Sequence, residues 1–331
     1  MTRPGECPPE PAIHDAAARI PDFFIVGHPK CGTTALYEML RGHPQIYMPD
    51  LKEPQFFAEE MRAGGVDYPG ELPQTLPEYL ALFAPAGPGQ HAGEASPSYL
   101  RSRTAAQRIA ELRPDARIVA ILREPASFLR SLHLQFVQGV IETEFDFATA
   151  LALEGERREG RAIPAHSYWP QALLYSEHVR YVEQLSRYRD LFGDERMLVL
   201  IYDDFRADNE RTVRDVLRFL EVDDAVAIAP AEANPTVSAR SPALHELVHL
   251  FAVGRGPASR SLKAVLKALT PDDMRRMALR ALRSRVIYTE PPPPEEGLMR
   301  ELRKRYRDEV VALSEYLGRD LVRLWGYEES R

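Results

Sequence analysis

The feature that most constrains this chain is a short apolar run that breaks into a glycine-bounded loop. Phe23-Phe24-Ile25-Val26 is continuously apolar and closes at Gly27, the pattern of a strand buried on both faces of a parallel sheet. Leu36, Met39 and Leu40 then recur at helical spacing behind Thr33-Thr34, and Gly42-His43-Pro44 stops that helix. Between strand and helix lies Gly27-His28-Pro29-Lys30-Cys31-Gly32-Thr33-Thr34. The orphan amides of a helix start point into such a turn and make it a phosphate cradle. Gly27 and Gly32 allow tight backbone geometry, Thr33 and Thr34 are available to cap the helix and donate hydroxyls, and Lys30 adds a mobile positive charge. The loop departs from the nucleoside-triphosphate pattern GxxxxGK[ST]: Thr33 follows the second glycine, and the lysine lies two residues before it. That displacement counts against an ATPase.

Two further runs read as buried strands, residues 117–122 and 197–202, each flanked by helical patterns. The order predicts an α/β fold, P-loop-like, with a central parallel sheet flanked by helices. Helical spacing extends over residues 168–191 and 211–220, and a last amphipathic helix over 298–317 ends before Gly318. Residues 1–20, with Pro4, Pro8, Pro9 and Pro11, read as a mobile leader, and 21–331 as one domain. Within it, a basic amphipathic helical insertion spans about 255–290, followed by the stiff spacer Pro291–Pro294. The insertion is either a solvated face over a core stripe or a docking surface for an anionic substrate or membrane.

Composition narrows the ligand. Net charge is −7, so the chain lacks the broad positive field of a nonspecific nucleic-acid binder, and any anion must be held by a local cluster. No apolar run reaches the roughly eighteen residues of a membrane span, and the N-terminus lacks the apolar core of a secretory signal. The only cysteines are Cys7 and Cys31, which gives no disulfide framework and makes the cytoplasm the simplest compartment. Only five of the 42 basic residues are lysine, yet Lys30 and Lys52 both fall in the first motif region. There a compact ammonium does what a guanidinium fork cannot.

The strand at 117–122 ends in Arg123, at the carboxyl edge of a parallel sheet where ligands bind. A guanidinium there suits a terminal phosphate, although an ion pair with Glu124 is the commoner fate of such an arginine.

GHPKCGTT resembles the 5'-phosphosulfate loop of sulfotransferases that use 3'-phosphoadenosine 5'-phosphosulfate (PAPS). His43-Pro44 with Lys52-Glu53-Pro54-Gln55-Phe56-Phe57 is similar to the next block of heparan-sulfate-type and bacterial members, and Gly93 to Leu100 (GEASPSYL) to the block after it. Arg123-Glu124-Pro125 with Ser131 resembles the family's 3'-phosphate motif, and the segments Leu302–Tyr306 and Gly318–Trp325 resemble its C-terminal end. The resemblance covers nearly the whole chain and implies a single sulfotransferase domain. It implies PAPS as co-substrate, with no metal required, held by Lys30, Cys31, Gly32, Thr33, Thr34, Arg123 and Ser131. It also implies Glu53 as general base, Lys30 as the contact to the bridging oxygen, and Arg240 in a loop that closes on the 3'-phosphate. Lys52 and Tyr99 are the expected substrate contacts. The acceptor is expected to be a sugar or natural-product hydroxyl, and the arginine and alanine bias suits a bacterial cytosolic enzyme. Two positions depart from many relatives: Ala95 stands where they have a lysine, and Ser127 where they have an arginine.

Three other readings compete. A P-loop small-molecule kinase shares the fold class but would bind ATP with magnesium. His245-Glu246-Leu247-Val248-His249 is a formal HExxH zinc-peptidase pattern, yet Ala252 and Arg255 stand where the metzincin continuation has glycine and histidine, and it leaves both phosphate motifs unexplained. A degenerate, non-catalytic scaffold would keep the hydrophobic pattern and fail to bind nucleotide.

Overall fold

The computed structural model describes residues 19–62, 72–139, 141–164, 167, 169–229 and 291–328, together with the backbone of 238–239 and 288–289. Residues 1–18 of the expected leader, the 255–290 insertion apart from 288–289, Arg240 and the HExxH pattern lie outside the described residues.

Five strands form one parallel sheet in the order β2-β3-β1-β4-β5. They are β1 (Phe23–Gly27), β2 (Ile46–Tyr47), β3 (His91–Ala95), β4 (Arg117–Leu122) and β5 (Met197–Ile201). β1, the continuous apolar run closed by Gly27, is central and wholly buried. It pairs Phe23 with Gly93 on one side and Ile25 with Val119 on the other. All connections cross over through helices, which is how parallel neighbours must be joined.

The helices that frame the strand ends are α1 (Thr33–Arg41), α2 (Glu59–Arg62), α3 (Leu76–Ala81), α4 (Ala105–Leu112), α5 (Pro125–Gln138), α6 (Phe147–Ala152), α7 (Glu154–Arg158) and α8 (Tyr181–Phe192). After β5 come α9 (Tyr202–Ala207), α10 (Asn209–Phe219), the residue pairs β6 (Ser238–Ala239) and β7 (Tyr288–Thr289), and α11 (Glu296–Arg305), α12 (Arg307–Leu317) and α13 (Leu321–Trp325). Pro125 opens α5 at a position where its missing N–H costs nothing, and the Glu124 carboxylate caps it by accepting from Ala126 N and Ser127 N. No helix among the described residues is long and apolar enough to cross a membrane.

Two helical expectations are corrected. Residues 168–191 do not form one helix: short 3-10 turns at Pro170–Leu173 and Tyr175–Val179 precede α8. Side chains capture the carbonyls a continuous helix needs, with His178 Nε2 2.8 Å from Ala172 O and Gln184 Nε2 donating to Glu177 O at 2.8 Å. The expected 298–317 helix is broken at Tyr306 into α11 and α12, and α12 ends on left-handed Gly318 as expected.

Candidate active site

The loop after β1 sits at the carboxyl edge of the sheet. Gly32 is the residue that begins α1, at φ 87°, and no side chain caps the helix. This corrects the expected capping by Thr33 and Thr34, which instead lie in its first turn. A Cβ at Gly32 would stand 2.8 Å from the Phe205 ring, so the turn needs glycine both for its φ and for its space. The arrangement leaves the first-turn amides to a ligand rather than to a cap, the usual form of an anion-binding helix start. Thr33 is buried and Thr34 is partly exposed. The Cys31 thiol is buried and burial pushes it up to about 12, so it is a neutral packing group.

His28 lies within the loop and is fully buried. Gln184 spends its amide nitrogen on Glu177 O, so its Oε1 faces His28 and accepts from Nε2–H at 2.7 Å. Burial first, partly offset by this hydrogen bond, holds the imidazole down at about 3, which keeps it neutral.

Arg123 joins the loop from β4. Its Nη1 donates to the Lys30 carbonyl at 3.2 Å, its Nε to Ser127 Oγ at 3.1 Å, and its guanidinium lies over the Tyr202 ring, 4.9 Å from the centroid. It does not pair with Glu124, whose carboxylate is taken by the start of α5 and by the Tyr327 hydroxyl at 2.6 Å. One turn along α5, Ser131 lines the same cavity as Arg123, Ser127 and Arg130, a space of about 300 Å³ closed by Pro291, Pro294 and Met299. The expected pair Arg123 and Ser131 is thus brought together. Lys30 and Arg123 have no carboxylate within 4 Å among the described residues. Burial, then the nearby Arg123 charge, lowers the Lys30 pKa from its ordinary value.

Glu53 approaches from the far side of β1, in the segment after β2. Lys52 Nζ lies 2.5 Å from Glu53 Oε1, and Glu53 N donates to Ala95 O at 3.1 Å. Lys30, Glu53 and Gln55 are non-glycine residues at φ 63°, 59° and 51°, a left-handed backbone that costs on the order of 1–3 kcal/mol each. Glu53 lines a cavity of about 80 Å³ with His28, Pro29, Arg101, Phe136 and Trp169. Tyr99 does not line that cavity: it is fully buried, accepts from Phe57 N at 3.3 Å and donates to Glu94 at 3.2 Å. Its place is beneath the Glu53 segment, not against an acceptor.

Sequence reasoning missed the support under that segment. Ser96 Oγ accepts from Gln55 N at 3.1 Å, and Glu94 accepts from the hydroxyls of Tyr79 at 2.5 Å and Tyr99. Burial pushes the Glu94 carboxyl up to about 7, against the opposing pull of the Ser96, Tyr79 and Tyr99 hydrogen bonds. The available signal is a lone glutamate, Glu94, within the small-residue stretch Ala92–Ala95.

A parallel sheet whose first loop offers helix-start amides and a lysine, with an arginine from the neighbouring strand β4 tied to it, defines a P-loop-like α/β protein with two cationic groups at the carboxyl edge of its sheet. A model of the sulfotransferase family matches residues 21–225. The chain belongs to the sulfotransferase family.

The structure is similar to a sulfotransferase from Alicyclobacillus acidocaldarius at 26% identity and a TM-score of 0.65, covering 93% of this chain and 99% of that one. Curated relatives include carbohydrate sulfotransferase 15 of Mus musculus, 25% identical over 61% of this chain and 44% of that protein. The human heparan sulfate glucosamine 3-O-sulfotransferase 6 is 35% identical over 33% of this chain and 28% of that protein. The matched regions thus span less than half the length of these curated relatives. Membership does not favour the kinase or peptidase readings.

Proposed function

We propose that this chain transfers a sulfuryl group from PAPS to a hydroxyl of a sugar or natural-product acceptor. The observation that carries the reading is the hydrogen bond from Arg123 to the Lys30 carbonyl, which makes one unit of two cationic phosphate sites. A ligand with two phosphate groups matches that unit, and the lysine two residues before Gly32 departs from the nucleoside-triphosphate pattern. The carbohydrate and heparan sulfate acceptors named for the curated relatives support a glycan-type acceptor.

Both cation sites fit the donor, since Lys30 and Arg123 carry charges with no internal carboxylate partner among the described residues. Lys30, Gly32, Thr33 and Thr34 hold its 5' end, while Arg123, Ser127 and Ser131 hold its 3'-phosphate. When bound, PAPS supplies the sulfuryl group and leaves as adenosine 3',5'-bisphosphate. Glu53 takes the proton of the acceptor hydroxyl, and Lys52 orients its carboxylate through their ion pair. Lys30 and the loop amides sit where negative charge grows on the departing phosphate, a preorganised stabilisation that needs no rearrangement.

The test is a thermal-shift comparison of adenosine 3',5'-bisphosphate with magnesium ATP. Stabilisation by the bisphosphate without metal is the expected result. Stabilisation by magnesium ATP alone would move the reading to a kinase, and no response to either would favour the non-catalytic scaffold.

A further inference from the structure

Arg123 stands in the joint between the end of β4 and Pro125, the first residue of α5. Its guanidinium rests on the ring of Tyr202, the first residue of α9, so its place depends on two walls, the joint and α9. The Tyr181 hydroxyl holds the Arg123 carbonyl at 2.9 Å, which leaves the direction of the side chain to those walls. α9 also backs the loop after β1, through the Phe205 ring that lies against Gly32.

Both walls are tied to the C-terminal end of the described chain. The Tyr327 hydroxyl donates to Glu124 Oε1 at 2.6 Å, and Glu124 is the neighbour of Arg123. Trp325 Nε1 donates to Asp203 Oδ2 at 3.0 Å, and Asp203 is the neighbour of Tyr202. Arg319 adds a two-pronged contact to Asp204, with Nη2 donating to Oδ1 at 2.8 Å. Trp325 and Tyr327 are both buried. The other hydrogen bonds to the Glu124 carboxylate come from its own helix, from Ala126 N and Ser127 N, and Arg303 Nε lies 3.8 Å from Oε1. The Tyr327 bond is charge-assisted and spans 203 residues, so it fixes the joint against a distant part of the fold. Packing of α13 would stabilise the chain wherever its polar bonds landed. Here they land beside both members of the stacked Arg123–Tyr202 pair.

We propose that Tyr327 and Trp325 are positioning residues for the donor: the C-terminal segment holds the two walls of Arg123 and so sets the affinity for the 3'-phosphate. The inference rests on the PAPS reading above and adds the element that governs its 3' end.

The probes are adenosine 3',5'-bisphosphate and adenosine 5'-monophosphate, titrated into the full chain by calorimetry. The wild type is expected to prefer the bisphosphate by about tenfold or more. Tyr327→Phe and Trp325→Phe each keep an aromatic ring and delete one donor, and each should lower that preference by about 3- to 10-fold. Tyr327→Phe leaves the monophosphate Kd within about twofold. In an Arg123→Lys background Tyr327→Phe should change the bisphosphate Kd by no more than about twofold, because two changes that act through one group are not additive. Val310→Ala, a cavity variant at a buried apolar position of α12, lowers the Tm and keeps the preference. A preference unchanged in both aromatic variants, a full further loss in the Arg123→Lys background, or an equal fall in Val310→Ala overturns the inference. A wild type that does not bind the bisphosphate fails the PAPS reading and the inference together, whereas a wild-type preference that both aromatic variants retain fails the inference alone.

Discussion

Arg123 reaches across from the end of β4 to donate a hydrogen bond, 3.2 Å long, to the main-chain carbonyl of Lys30 in the loop after β1. The side chain of one proposed phosphate site therefore holds the backbone of the other. Arg123→Lys keeps the charge but loses the fork that spans Lys30 O and Ser127 Oγ. Its affinity for adenosine 3',5'-bisphosphate should fall by roughly 10- to 100-fold, as for a lost charge-assisted pair. Titration calorimetry checks this, and an unchanged Kd would mean that Arg123 serves the loop only.

Glu53→Gln preserves shape and removes the base. Turnover should drop by about 10²- to 10⁴-fold with the bisphosphate Kd unchanged. Lys30→Ala should lower turnover and raise the bisphosphate Kd. Near-wild-type turnover in Glu53→Gln would take Glu53 out of the proton transfer.

Tyr99→Phe deletes one hydroxyl that serves two partners, Phe57 N and Glu94. The buried amide loses its acceptor, so stability should fall by about 1–3 kcal/mol in a urea melt. Because Phe57 anchors the segment that carries Glu53, turnover should fall while bisphosphate binding is retained. Equal loss of binding and turnover would point to general unfolding instead.

Glu94 gives the fold a pH signature. Its carboxyl titrates near 7 in the folded chain against an ordinary 4.5, so between those values the native state holds a proton that the unfolded chain has released. Stability from this group is complete below about pH 4.5 and declines as pH rises to about 7, by on the order of 3 kcal/mol. His28, held at about 3 against 6.5, acts in the opposite sense between those pH values, and it is present in every variant compared. The Tm of Glu94→Gln relative to wild type should therefore rise from pH 5 to pH 8 (probe conditions of about one unit spacing), and a flat difference would show that Glu94 ionises normally.

Much of the donor side was legible because its parts are local. The apolar run 23–26, the glycines of the loop and Arg123 at a strand end are each read from a few consecutive residues. β3 was harder: His91-Ala92-Gly93-Glu94-Ala95 has little strand propensity and forms because β1 selects it. A Cβ on Gly93 would stand 2.1 Å from the Phe23 ring, so the glycine that weakens the local signal is what lets the strands approach. The contacts of the acceptor side are long-range. Tyr79 to Glu94 and Gln184 to His28 join residues far apart in sequence, and no periodicity marks them.

Lys30 and Glu53 hold backbone angles that glycine adopts at little cost. At these two positions the demands of folding and of chemistry diverge. Lys30→Gly and Glu53→Gly relieve left-handed strain, offset in part by the greater freedom of glycine in the unfolded chain, and in Lys30→Gly a repulsion with Arg123 also goes. Each should melt no lower than the corresponding alanine variant, by about 1 kcal/mol in its favour, while losing the same activity. Under the proposed mechanism, these two positions are ones where the chain is made sturdier at the cost of making it idle.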